Sequence, residues 1–243
     1  MWQVIGSTAE LSLGQLTGSV DLTRPWLGLT LSVADLAEPN QILGVWFENR
    51  GATANTPPLE AHVRGTDLIA RYAEDQQRFV RIEVYWRAIE KSGDGAIGFE
   101  LVTSVQTSKL TSKPRLETSS RIAAQEVHQI AAHPDGEGRV LNFETERLRR
   151  LDQPNSFPLL RRNNASLSYC EMVHPSDFVS TTIEQTGSED TVAISHELFP
   201  QSLEKGVIRR GRVRGIFLPH ERDVELARTH FHEFTDSKPV LST

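Results

Sequence analysis

Five ionisable residues in the second half of the chain could carry acid–base chemistry: His174, Asp177, His196, Glu197 and Glu204. An imidazole beside a carboxylate is the minimal equipment for proton transfer near neutral pH, because protein surroundings can tune both groups towards that range. Two histidines with one carboxylate would also supply three ligands for a zinc ion. The spacings match no catalytic or metal motif, so hydrogen-bonded or solvent-facing structural residues are the competing interpretation.

Proton transfer requires these side chains to meet in space. If residues 166–173 and 191–198 form neighbouring strands, His174 and His196 would lie near one end of a sheet with a carboxylate close by. The catalytic hypothesis therefore uses His174 or His196 as the acid or base, with Glu204 or Glu171 as its partner. The sequence contains no motif for a metal or for a cofactor, and we expect neither.

Three arginines form a candidate ligand-binding row: Arg210, Arg212 and Arg214. On a strand, residues two apart share a face at about 7 Å, so three guanidinium groups would stand in line. Such a row could bind a carboxylate, a phosphate or a sugar acid through paired hydrogen bonds. The competing interpretation is a solvated strand face that pairs with acidic neighbours.

Tryptophans could provide a platform for a sugar ring. Trp26, beside Pro25, is the best candidate for a surface position, and Trp46 precedes Phe47, so at least one of those two adjacent rings can face outwards. Aromatic faces stack on sugars in many β-sandwich binding modules. We therefore include Trp26 and Trp46 with the arginines as ligand-binding candidates.

The elements that must position these residues are mainly strands. From Phe79 to Trp86, apolar Val80, Ile82, Val84 and Trp86 alternate with Phe79, Arg81, Glu83 and Tyr85, and a period of two is typical of a strand with one face on a core. Similar runs separated by Gly, Pro, Asn and Asp predict further strands. We predict them near residues 3–5, 9–16, 27–33, 42–47, 59–64, 67–73, 78–89, 97–107, 140–143, 166–173, 178–184, 191–198 and 206–218.

Two segments depart from this pattern. Residues 108–120 are rich in Ser, Thr and Lys and are interpreted as a connection, while residues 121–132 fit either a helix or an irregular strand. After Pro219, four apolar residues follow helical spacing, which predicts one C-terminal helix packed on the sheets: Val224, Ala227, Phe231 and Phe234. The fold class is thus mostly β, a large antiparallel β-sandwich with one C-terminal α-helix.

The apolar pattern also partly repeats at an offset of 110 residues: Val63 matches Val173, and Asp67 matches Asp177. We therefore expect one compact β unit over residues 1–243, with two similar halves at 1–118 and 119–243. By strand number and size this layout resembles the supersandwich fold of galactose mutarotase-like and other carbohydrate-processing proteins. Fold resemblance alone does not assign an activity.

Composition narrows the classes of protein. The formal net charge of −6 disfavours general nucleic-acid binding, and one cysteine, Cys170, fits a reducing compartment. No secretory signal and no apolar run long enough to span a membrane occur, so a soluble, cytoplasmic protein is expected.

Three functions remain in order of preference. The first is binding of a carbohydrate or an anionic small ligand without catalysis, favoured by the arginine row and by the lack of a catalytic motif. The second is a sugar-modifying enzyme, such as an epimerase or mutarotase, that uses histidine and carboxylate acid–base catalysis. The third is a scaffold that self-associates through edge strands or the terminal helix.

Overall fold

A computed structural model describes residues 1–14, 16–32, 40–47, 55–74, 80–89, 93–133, 138–143, 147–163, 165–186, 191–199 and 201–238. Within these ranges the chain forms strands and one α-helix, α1 (Asp223–Asp236). The strands, in chain order, are β1 (Trp2–Ile5), β2 (Thr8–Leu13), β3 (Leu16–Asp21), β4 (Leu29–Ser32), β5 (Asn40–Trp46), β6 (Glu60–Arg64), β7 (Asp67–Tyr72), β8 (Arg81–Ile89), β9 (Ile97–Gln106), β10 (Thr111–Ser112), β11 (Leu116–Ala123), β12 (Glu126–Ala131), β13 (Arg139–Val140), β14 (Leu148–Leu151), β15 (Ser156–Arg161), β16 (Leu167–Val173), β17 (Phe178–Gln185), β18 (Thr191–Leu198), β19 (Leu203–Glu204) and β20 (Ile208–Pro219).

The strands build two large antiparallel sheets that pack face to face. Sheet A has the order β1-β2-β3-β4-β5-β11-β18-β17-β14, and sheet B has the order β13-β12-β15-β16-β20-β9-β8-β7-β6. The short strands β10 and β19 pair with each other. The prediction of a mostly β sandwich with a C-terminal helix is confirmed.

The main core lies between the sheets and takes side chains from along the whole chain. Val80, Ile82, Val84 and Trp86 are all buried in it, which confirms the alternation that predicted β8. Phe79 lies outside the described residues. Since apolar side chains at alternate positions meet those of the facing sheet, burial of this surface is the main force that holds the sandwich together.

Two features of the topology bear on the expected division into halves. The boundary between residues 118 and 119 falls inside β11, and each sheet contains strands from both sides of it. Strands β8 and β9 pair with each other, whereas β18 and β20, which lie about 110 residues later, belong to different sheets. The 110-residue offset therefore relates strand positions in the sequence but not strand pairing, and a true duplication stays a prediction.

The terminal helix packs on the outer face of sheet B. Its buried side chains include Ala227, Phe231 and Phe234, as its apolar spacing predicted, and Phe231 stacks on Phe157 of β15 with ring centroids 5.1 Å apart. Cys170 lies in the same small core, where burial raises the pKa of its thiol well above the usual value. No helix among the described residues is long and apolar enough to cross a membrane.

Several sequence-based boundaries were wrong. Residues 108–120 are not a simple connection, because they contain β10 and most of β11. Of the two interpretations of residues 121–132, the irregular strand is confirmed, since this segment holds the end of β11 and all of β12. The single strand expected over residues 9–16 is divided between β2 and β3, which pair as a hairpin. Strand β11 escapes a hydrophobicity pattern because two of its inward side chains, Thr118 and Ser120, are polar.

Candidate functional site

A cavity of about 430 Å³ opens on the outer face of sheet A. Its floor is formed by β5, β11, β18 and β17, and the short 3-10 helix Pro25–Leu27 lies at its side. A volume of this size is sufficient for a small-molecule ligand. The lining residues are Trp26, Leu27, Gln41, Trp46, Glu117, Ser119, Ser120, Arg121, Glu184, Thr186, Ala193 and Ser195.

Strand β11 supplies the centre of the floor. Its alternation directs Glu117, Ser119 and Arg121 to the outer face, while Thr118 and Ser120 face the interior and are buried. Because β11 pairs with β5 on one side and with β18 on the other, its outward side chains stand in the middle of the cavity.

Two tryptophans form one wall. The rings of Trp26 and Trp46 lie 5.8 Å apart at an interplanar angle of 32°, and the Trp46 indole Nε1 donates a hydrogen bond of 2.9 Å to Ser119 Oγ. Both rings are partly exposed. Of the ligand-binding residues proposed from the sequence, Trp26 and Trp46 are the ones that the structure brings together at a cavity.

Glycines allow the Trp26 segment to approach the sheet. Gly28 has a φ of +68°, a conformation that disfavours other residues, and a Cβ at this position would collide with the Ile42 carbonyl oxygen. A Cβ on Gly44 would collide with the carbonyl oxygen of Trp26. The backbone of the 3-10 helix therefore rests directly on β5, and this contact sets the height of the Trp26 ring above the floor.

A positive and a negative side chain stand on either side of a gap in the floor. Strand register places Arg121 opposite Ala193, and Ala193 opposite Glu184, so the three form one row across the sheet. Two strand spacings separate Arg121 from Glu184 at the backbone, roughly 10 Å. The small side chain of Ala193 leaves the space between them open, and both charged residues are exposed to it.

The floor is supported by an irregularity in β5. The register of β5 against β11 shifts between Ser119 and Arg121, and Leu43 adopts a φ of +56°, which is unusual for a non-glycine residue. The Leu43 amide donates a 2.9 Å hydrogen bond to Ser120 Oγ, and the Leu43 carbonyl accepts a 3.1 Å hydrogen bond from Trp86 Nε1. A bulge of this kind re-aims neighbouring side chains, and here it lies directly below the cavity.

Behind the bulge lies a buried polar network between the sheets. Ser120 donates a 2.5 Å hydrogen bond to Glu171 Oε2, which also accepts one from the Tyr169 hydroxyl, while His196 Nε2 lies 2.9 Å from Glu171 Oε1. Thr181 Oγ1 lies 2.8 Å from His196 Nδ1. Burial and the adjacent Glu171 carboxylate raise the pKa of Tyr169 well above its usual value, so the phenol remains a donor.

His174, His196 and Glu204 do not meet, whereas the alternative partner Glu171 lies beside His196 in the buried network. His196 is fully buried in this network, inside the sandwich. His174 lies on the other side of sheet B, where its Nε2 is 3.2 Å from the Thr235 carbonyl oxygen of α1. Burial, together with the Arg212 charge, lowers the pKa of His174. Glu204 is an exposed residue of the short strand β19.

Two arginines of the row, Arg212 and Arg214, bind residues of the terminal helix and of its C-terminal end. Arg212 Nη1 donates to the Ser237 carbonyl oxygen at 3.1 Å, and Arg214 donates to Glu100 at 3.0 Å and to the His230 carbonyl oxygen at 3.3 Å. Both guanidinium groups lie over the Phe234 ring, at 5.3 and 4.5 Å. Ser237 caps the C-terminus of α1, where the helix dipole favours a cation such as Arg212.

Arg210 lies on the same face of β20, two residues before Arg212, and is half-buried. The arginines proposed as ligand-binding residues therefore lie on sheet B, away from the cavity on sheet A.

The sequence interpretation missed the residues that define the cavity floor, chiefly Gln41, Glu117, Arg121 and Glu184. One available signal was the alternation of Leu116, Thr118, Ser120 and Ile122 against Glu117, Ser119 and Arg121, which has a period of two despite its polarity. Across the ranges given above, no group of three or more His, Cys, Asp and Glu residues is arranged to hold a metal ion.

No protein-family model matches the chain, and no curated protein sequence matches it either. Solved structures do resemble the fold. A galactose mutarotase related enzyme from Lactobacillus acidophilus is 7% identical, with 89% of this chain and 97% of that chain covered and a TM-score of 0.56. The GalM/aldose epimerase homologue from C. elegans is 10% identical, with 86% and 98% covered and a TM-score of 0.53.

The Slr1438 protein from Synechocystis sp. PCC 6803 is 9% identical, with 90% of this chain and 100% of that chain covered and a TM-score of 0.60. At such identities the likeness shows the fold alone, a two-sheet β-sandwich shared with these structures. The preference for a binding protein without catalysis is contradicted by neighbours that are named for aldose epimerase or galactose mutarotase. That preference is withdrawn.

Proposed function

We propose that this protein is a sugar-modifying enzyme of the mutarotase or epimerase type, with its active site in the cavity on sheet A. The observation that carries the proposal is the row of Arg121, Ala193 and Glu184 beside the Trp26–Trp46 wall. A tryptophan wall suits the apolar face of a pyranose ring, and charged groups on either side suit its hydroxyl and ring oxygens. The fold of its structural neighbours supports the same class.

In the proposed reaction Glu184 is the general base. It accepts the proton of the C1 hydroxyl as the C1–O bond of the ring breaks, giving the open-chain aldehyde. Arg121 stabilises the negative charge that develops on the ring oxygen, which takes a proton from water in the open cavity. Rotation about the C1–C2 bond turns the other face of the carbonyl towards the C5 hydroxyl. As the ring closes, the C5 hydroxyl returns its proton to the hydroxide left by that water and Glu184 gives its proton to the new C1 hydroxyl, which yields the opposite anomer. These steps neither oxidise nor reduce the sugar.

Of the described residues that line the cavity, Glu117, Arg121 and Glu184 have ionisable side chains. Register places Glu117 in the same row as Glu197, two rows of side chains from Glu184. Glu117 therefore contacts a different part of a bound sugar, and we assign it to substrate positioning rather than to the proton transfer at C1.

Exchange NMR of the anomeric protons of common aldoses tests this activity. The wild type is expected to accelerate the interconversion of anomers, Glu184→Gln to lower kcat by about 100-fold or more, and Arg121→Ala to lower it by a similar factor. Glu204→Gln and His174→Ala provide the controls, because neither side chain lies at the cavity. Loss of activity in the controls with retention in Glu184→Gln would contradict the assignment.

The remaining expectations are not tested by the geometry. A cytoplasmic location, the lack of a nucleic-acid partner and self-association all stay predictions. The residues that line the cavity favour a sugar as the ligand.

A further inference from the structure

The outer face of sheet A continues beyond the cavity, across the N-terminal strands. Register runs from Arg121 to Gln41 on β5, then to Thr30 on β4, Ser19 on β3 and Glu10 on β2. A second row of hydroxyl residues lies beside it, in which Ser12 is opposite Thr17 and Thr17 is opposite Ser32.

A second cavity of about 500 Å³ lies over these rows. Its walls include Gln3, Glu10, Ser12, Thr17, Ser19 and Thr30. The two cavities adjoin, because Thr30 of the second is the strand partner of Gln41, which lines the first. The two cavities therefore lie side by side on the outer face of the sheet, and we call the pair the groove.

The chemistry of the second cavity is that of a polyol site. Hydroxyl groups and an amide can both donate to and accept from sugar hydroxyls, and the Glu10 carboxylate accepts from them. The described residues that line it include no Lys, Arg or His side chain, and the Met1 ammonium is engaged by the Ser12 carbonyl oxygen. A phosphate or an acidic sugar would thus meet a carboxylate without a side-chain cation. This chemistry favours a neutral sugar.

We propose that the second cavity is a subsite for further units of a neutral oligosaccharide whose reducing end occupies the first cavity. From Ala193 to Thr30 there are three strand spacings, roughly 14 Å, and one pyranose ring does not span that distance. The inference rests on the proposed function for the identity of the reducing-end site. It assigns the substrate class as an oligosaccharide rather than a free monosaccharide.

Chain-length dependence of anomer exchange tests the subsite. With glucose and neutral gluco-oligosaccharides of two to five units as probes, the wild type is expected to show a kcat/KM about tenfold higher for the longer sugars than for glucose. In the double variant Ser19→Gln, Thr30→Gln, longer side chains fill the groove, so the gain should disappear while the rate with glucose is unchanged. Thr111→Gln, at an exposed strand position in the separate β10–β19 pair, is the matched control.

Calorimetric titration with the same sugars separates failure of the subsite from failure of the proposed reaction. Length-dependent binding that is weakened by the double variant supports the subsite even if no sugar is converted. Equal kcat/KM and equal affinity at all lengths overturn it, as does a gain that persists in the double variant. Tighter binding of a phosphorylated or acidic oligosaccharide than of the neutral one overturns the assignment to neutral sugars.

Discussion

Two kinds of charged side chain among the described residues have contrasting surroundings: some are buried and bound by protein partners, and others are exposed at the cavity. Glu171 and Asp223 are buried and receive several donors each, whereas Arg121 and Glu184 lie exposed on the outer face of sheet A. A carboxylate held by several donors is stabilised as an acceptor and has little freedom to exchange protons with a substrate. A charged residue that is buried among partners thus has a structural role, whereas one of the same type that is exposed at the cavity is available for chemistry.

Asp223 provides a test at this scale. Its carboxylate accepts from Arg161 Nε at 2.8 Å and Nη2 at 2.7 Å, and from Ser168 Oγ at 2.6 Å, and so joins β15 and β16 to the start of α1. Burial by itself raises the pKa of Asp223, but the hydrogen bonds from Arg161 and Ser168 outweigh it and hold the pKa below the ordinary 3.8. The folded state therefore favours the ionised form.

We expect Asp223→Asn to lower the free energy of unfolding by about 2–4 kcal/mol at pH 7, because Arg161 loses its buried partner. A lowered pKa means that this stabilisation is present above pH 3.8 and is lost as the pH falls below it. Urea denaturation at pH 7 and pH 3 should show that the difference in the free energy of unfolding between variant and wild type becomes smaller at the lower pH. Glu225→Gln, which removes an exposed pair with Arg222, should have a much smaller effect, and a gap that widens at pH 3 would contradict the account.

At the scale of elements, the contact between the 3-10 helix Pro25–Leu27 and β5 determines where the tryptophan wall stands. We expect Gly44→Ala to push the Trp26 backbone away from the sheet and to cost about 1–3 kcal/mol, as overpacking does. Near-ultraviolet circular dichroism should report the change in the Trp26–Trp46 pair, and sugar affinity should fall with it.

Gly93→Ala is the control for this substitution, because a Cβ at position 93 meets no atom within 4 Å. If both variants unfold at the same denaturant concentration and bind sugar equally, the close contact does not position Trp26.

The elements that could be read from the sequence are those whose buried faces are apolar. Strand β8 and helix α1 follow their periodicities closely, and the sequence predicts both. Strand β11 was missed because Thr118 and Ser120, its inward side chains at the centre of the strand, are polar. The Ser120 hydroxyl binds Glu171, which lies 51 residues away in the sequence, and short-range patterns do not reveal that pairing. The cavity was missed for a related reason, since β11 meets β5 on one side and β18 on the other through pairing between strands that are far apart in the sequence.

At the scale of the whole molecule, the network around Glu171 connects the two sheets beneath the cavity. Ser120 and His196 belong to sheet A, whereas Tyr169 and Glu171 belong to sheet B. Removal of the shared acceptor leaves buried donors without a partner, and this costs more than the loss of a surface charge.

Glu171→Ala is accordingly expected to lower the free energy of unfolding by about 3–5 kcal/mol, with Glu204→Ala, an exposed residue, within about 0.5 kcal/mol of the wild type. Urea denaturation monitored by tryptophan fluorescence measures both. Similar small effects for the two variants would show that the network does not hold the sheets together.

The most direct test of the central claim is a crystal structure of the protein with a bound aldose. The account predicts a pyranose ring over Ala193, beside Trp26 and Trp46, with Glu184 within hydrogen-bond distance of the C1 hydroxyl and Arg121 near the ring oxygen. A sugar bound on the outer face of sheet B, or none on sheet A at a concentration that saturates the protein in solution, would contradict it.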